Sequence, residues 1–173
     1  MRWISFFILA YVALGVQLGL AGAADIQGAG VNVVMLAAIF IALNVPRDEA
    51  LLGCFLLGLM QDLLTLQPLG VWAVAYTIVG MFVISTQEFV YREHPLTHIT
   101  LGLGGGLLSG AVRWLHAWLY AAIHHQETAT VSVKTVLLGA ILSAAAAPVV
   151  LWALQRGRKL IVIRSKRLRA EAR

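Results

Sequence analysis

Charge is scarce in this sequence, and cysteine is all but absent. Only 12% of the 173 residues are Asp, Glu, Lys or Arg, about half the share usual in soluble domains, so a water-facing surface of ordinary size is excluded. Cys54 is the single cysteine, which removes a disulfide framework and a Cys-based zinc site. Catalytic signatures are missing too. There is no HExxH, no glycine-rich phosphate loop followed by Lys, and no acidic pair suited to a metal-dependent transferase. Ser109 and His116 share a helical face, but Leu107-Leu108-Ser109-Gly110 lacks the Gly two positions before the serine that a tight nucleophile turn requires. His124 and His125 are adjacent, so a regular helix aims them apart and they read as solvated loop residues rather than metal ligands. No pattern here calls for a cofactor or a metal, and none supports an enzyme.

What the chain has instead is apolar sequence, 60% of its residues. A membrane span needs about 20 predominantly apolar residues, and six segments qualify or nearly do: Trp3 to Ala21, Val31 to Val45 (extendable through Ala29 and Gly30), Ala50 to Leu66, Leu69 to Thr86, Ile99 to Ile123, and Val136 to Leu154. The expected fold is all-α and polytopic, with a six-helix transmembrane domain over residues 1–155 and a basic tail over 156–173.

The basic residues set the orientation, because cytoplasmic loops retain Lys and Arg. With the amino end inside, Arg2, Arg47, Arg92 and the eight basic residues of the tail all fall on the inner side, against Lys134 alone outside. Both termini are therefore expected in the cytoplasm. The net charge of +5 is concentrated in the tail rather than spread along a groove, which points to anionic lipid at the cytoplasmic face and away from nucleic acid. A docking role for the tail, beyond anchoring, stays open. Ala21-Gly22-Ala23 has the small-x-small form of a signal peptidase site. The long apolar run with only Arg2 ahead of it favours an uncleaved first helix.

Ionisable groups inside a bilayer cost about 2.5 kcal/mol or more each, so Asp62 and Arg113 stand out. Counted along their helices, the two lie at matched depth. The simpler reading is an ion pair that fixes helix positions; the sharper one is a proton or substrate site. Gly102, Gly106 and Gly110, four apart on the fifth segment, form a small-residue face that lets helix backbones approach closely, and Gly15 and Gly19 repeat the spacing in the first. Pro148 removes a backbone bond to Ala144 and is expected to kink the sixth helix.

The stretch Gly58-Leu59-Met60-Gln61-Asp62-Leu63-Leu64, followed by Pro68-Leu69-Gly70, Ala73, Tyr76 and Val79-Gly80, resembles the signature of the rod-shape-determining membrane protein family MreD. The motif covers about residues 53 to 80, while length, six-span layout and basic tail fit the family along the whole chain. The resemblance implies an inner-membrane protein of the cell-wall elongation machinery. It would sit beside the periplasmic scaffold MreC and link MreB filaments to the wall synthases. It also implies a fold similar to the membrane substrate-binding subunits of energy-coupling-factor transporters. The His124-His125 loop and the long glycine run depart from a typical member.

Two functional classes follow. One is a non-catalytic scaffold of the elongation machinery, involved in cell shape. The other is a small-molecule-binding subunit of a transporter, with Asp62, Arg113 and His116 lining a pocket and Gln17, Asn32, Gln61 and Trp114 adding polar groups.

Overall fold

Hydrocarbon offers a backbone no hydrogen-bond partners, so apolar runs of this length must close their own amide bonds, and they do so as helices. The computed structural model describes residues 3–20, 29–65, 68–86, 95–124 and 132–157. Their regular structure is six helices: α1 (Trp3–Leu20), α2 (Val33–Asn44), α3 (Arg47–Thr65), α4 (Val71–Thr86), α5 (Pro95–His124) and α6 (Val133–Gly157). The basic tail beyond Gly157, the Ala21-Gly22-Ala23 sequence, Arg2, Arg92 and His125 lie outside the described residues.

The helices stand where the apolar segments predict them, but their lengths are unequal. α1 and α6 are each long and apolar enough to cross a membrane, whereas the apolar α2 and α4 have only 12 and 16 residues. Several ends differ from expectation, α6 running three residues further at each end, and three of the differences have local reasons. The charged turn at Pro46 opens α3, with Asp48 and Glu49 in its first turn, where acidic side chains favour the helix dipole. Pro95 starts α5 four residues early, in the first helical position, where its missing N–H costs nothing. Ala29 and Gly30 do not extend α2, because the Asn32 side chain accepts a hydrogen bond from the Met35 N–H and caps the helix there.

α2 is the axis of the bundle. Every residue from Val33 to Leu43 is buried, and α2 touches each of the other five helices. A helix that is apolar all round belongs at the centre of a bundle. At about 1.5 Å per residue it rises only ~18 Å, short of the ~30 Å hydrocarbon thickness. Backbone amides ahead of the helix that are withdrawn from water must be satisfied by protein, and Gln17 of α1 does this. Its amide donates to the Val31 carbonyl at 3.1 Å and accepts from the Val33 N–H at 2.7 Å, while the Asn32 N–H donates to Ser143 Oγ of α6 at 3.0 Å.

The glycine face of α5 packs along α6. A Cβ on Gly102 would stand 2.8 Å from the Ala147 Cβ, one on Gly106 would stand 2.7 Å from the Ala140 Cα, and one on Gly110 would overlap Val136. Gly15 and Gly19 behave differently: a Cβ at either would meet nothing within 4 Å. Their side of α1 is exposed, so the shared spacing does not make a second ridge among the described residues. α6 runs as one helix through Pro148. Substituting Gly106→Leu should therefore impair assembly, with overpacking strain of about 1–3 kcal/mol or more, whereas Ala111→Leu on the exposed face should insert and unfold as wild type. Thermal unfolding of the purified variants reads the difference, and wild-type behaviour of Gly106→Leu would contradict a packed ridge.

Candidate functional site

Four of the five buried polar side chains among the described residues, Gln61, Asp62, Ser109 and Ser143, gather toward the end where α2 and α4 begin, while His98 meets Gln155 near the other end. The first four N–H groups of a helix have no intrahelical partner, and the residue at the cap position of α4 is Gly70, which has no side chain to offer. Asp62, from the last turn of α3, supplies the acceptor instead. Its Oδ2 accepts from the Gly70 N–H at 2.9 Å and the Ala73 N–H at 3.2 Å, and its Oδ1 accepts from the Trp72 N–H at 3.0 Å. A buried carboxylate with three N–H donors is well satisfied, and its charge complements the positive end of α4.

The turn between the helices is shaped for this contact. Pro68 accepts at its carbonyl from the Val71 N–H, and Gly70 adopts φ +102°, a left-handed conformation that a side chain would strain. Gly58 lets the two helices meet, since a Cβ there would overlap the Trp72 carbonyl oxygen. Thus Gly58, Asp62, Pro68 and Gly70 form one device, a helical hairpin whose second helix is capped by its first.

The expected Asp62–Arg113 ion pair is not formed. Both carboxylate oxygens are engaged with the start of α4, and α3 and α5 make no contact with each other. Matched depth fixed only the height of the two groups; their directions around the bundle differ. The guanidinium of Arg113 lies instead over the ring of Trp72, 4.6 Å from its centroid, a cation–π contact. Trp72 thus separates the charges, its backbone bound by Asp62 and its indole under Arg113.

Behind Trp72 the network continues through the buried Tyr76. Its single hydroxyl proton goes to Asn32 Oδ1 at 2.9 Å, and the Gln61 amide stands 3.2 Å away, able to donate to the hydroxyl when its Nε2 faces that way. Asn32 therefore caps α2 and receives Tyr76 at the same oxygen. Beside it, a half-open cleft of about 70 Å³ is lined by Asn32, Trp72, Ser109, Arg113, Thr135 and Ser143, with Gly106 and Gly110 in its wall. Ser109 donates to the Gly106 carbonyl at 3.1 Å, a helix back-bond rather than a nucleophile's contact.

Of the residues expected to line a pocket, Asn32 and Arg113 line this cleft. Asp62 and Gln61 are buried in the hairpin, Trp114 is 43% exposed, and His116 stacks on Tyr120. Among the described residues no three His, Cys, Asp or Glu side chains come together. Sequence reasoning missed Ser143, and Tyr76 entered it only as part of a motif. A lone serine in an Ala-rich helix opposite an asparagine was the available signal.

The family model described as rod shape-determining protein MreD matches residues 1–156. No curated protein and no solved structure matches the chain. The capping geometry has a direct consequence. Asp62→Ala would leave three N–H groups without an acceptor and should cost about 2 kcal/mol or more of stability, at or above the upper end for a single cap. The swapped variant with Asp62→Arg and Arg113→Asp should be no more stable than Asp62→Arg alone. Recovery in the swap, measured by unfolding in detergent, would reinstate the ion pair.

Proposed function

From the premise that this chain belongs to the rod shape-determining MreD family, the match spanning nearly all of it, we propose that it is a non-catalytic scaffold of the cell-wall elongation machinery. In this reading it is an inner-membrane protein whose six helices all span, with both termini in the cytoplasm. The concentration of basic residues at Arg47, Arg156 and the tail supports that orientation, against Lys134 alone on the other side. The short α2 fits as a core helix that completes its crossing through residues 29–32, satisfied by Gln17 and Ser143.

One observation carries the scaffold over the transporter subunit. Asp62 and Asn32, two of the polar groups that a substrate would need, are engaged in fixing helix ends, and the cleft beside them is about 70 Å³, against roughly 300–1,000 Å³ for small-molecule pockets. The partners are then proteins: an MreC-like periplasmic scaffold, MreB-like filaments and wall synthases, with anionic lipid at the basic tail. Polar contacts locked inside the bundle leave a rigid body with an apolar exterior, which suits helix-to-helix docking in the bilayer.

Solubilised full-length protein, isolated from its native host and analysed by mass spectrometry, should carry the MreC-like scaffold, and its depletion should turn rods round. Co-purification of a pair of ATPases without shape proteins, or rods that persist through depletion, would reject the scaffold in favour of the transporter subunit.

A further inference from the structure

The cleft beside Asn32 brings together two donor side chains, Arg113 and Trp72, that have no hydrogen-bond partner among the described residues. The Arg113 guanidinium has five N–H donors and makes no hydrogen bond or ion pair with a described residue; its contact is the face of Trp72. Trp72 is 8% exposed, and its indole Nε1–H is buried with no hydrogen-bond partner among the described residues. Both residues line the cleft. The carboxylate that would ordinarily answer Arg113 is held by three N–H groups of the α4 start. Asn32 Oδ1 already serves Met35 and Tyr76, and Ser143 Oγ accepts from the Asn32 N–H, which leaves its own proton to give.

A half-buried cation and, on the ring beneath it, a buried donor with no partner are costly unless something with anionic oxygens meets them. The planar fork of a guanidinium matches the oxygens of a phosphoryl group. An interior of about 70 Å³ has room for a headgroup-sized oxyanion, roughly the space of two waters in the liquid, while its half-open side leaves a path for a chain to trail out. Trp72 is the second residue of α4, so the cleft lies at the level where the shorter helices α2 and α4 begin.

We propose that this cleft is a phosphate-binding site, in which the Arg113 guanidinium, joined by the Trp72 indole N–H when the ring turns toward the ligand, holds the phosphoryl oxygens of an anionic phospholipid or of free phosphate. The inference is independent of the scaffold role, since it concerns a ligand of the bundle and not its protein partners.

The test uses the full-length protein, with phosphatidic acid, phosphatidylcholine and inorganic phosphate added separately, and reads bound adducts by native mass spectrometry and the shift in Tm. Phosphatidic acid should bind at least about tenfold more tightly than phosphatidylcholine, and a bound ligand should raise Tm in proportion to its occupancy. Arg113→Gln should lose that preference, and Trp72→Phe, which keeps a ring under the guanidinium and removes the N–H, should weaken it severalfold. The basic tail is common to all three proteins, so it cannot produce the difference between them. If inorganic phosphate alone raises Tm with the same dependence on both residues, the ligand is the free anion; if only phosphatidic acid does, it is a lipid headgroup. Where Arg113→Gln fails to fold, Arg113→Lys and Trp72→Phe decide, the lysine keeping charge without the fork and expected to bind more weakly. Wild type that prefers neither probe over phosphatidylcholine, or variants that all bind as wild type, would overturn the site.

Discussion

Every backbone N–H placed away from water must find an acceptor, and in this bundle that requirement falls hardest on the starts of α2 and α4. α4 begins after Gly70, whose positive φ makes the turn possible and whose missing side chain leaves the helix uncapped by its own sequence. Asp62 answers from the neighbouring helix. That single contact explains why an acidic residue lies buried in a hydrophobic chain, why a proline and a glycine follow it, and why Gly58 must be small. It also fixes the register of α3 on α4, on which the placement of Trp72, Tyr76 and the cleft depends.

α2 meets the same requirement differently. Its own Asn32 caps it, and Gln17, Tyr76 and Ser143 tie the segment ahead of it to α1, α4 and α6. The result is a central helix whose entry is held from three sides while its body is buried among apolar side chains, with the Cys54 thiol donating to the Ala38 carbonyl. Close packing of α5 on α6 through Gly102, Gly106 and Gly110 then closes the bundle around it.

The number and placement of the helices were legible because lipid leaves an apolar run few alternatives. The ridge on α5 was legible for a related reason, since four-residue glycine spacing marks one face of a helix whatever packs there. The role of Asp62 was not. Counting residues along α3 and α5 gives depth, but whether two groups meet depends on which helices are neighbours, and α4 and α2 lie between these two. The same gap explains Gly15 and Gly19, where the spacing is right but the neighbour is missing. The second apolar run reads as short in the sequence, but its start was hidden, because Ala29 to Val31 could extend the helix and only the cap at Asn32 reveals where it begins.

The account turns on whether the Asp62 carboxylate holds the start of α4. Residue-resolved amide hydrogen exchange in lipid nanodiscs measures this directly at Gly70, Trp72 and Ala73. With the cap in place these amides exchange slowly although they lie at a helix start, and Asp62→Asn accelerates them by about tenfold or more while the middle of α4 is unchanged. Fast exchange at all three in the wild type, or rates indifferent to Asp62→Asn, would contradict it.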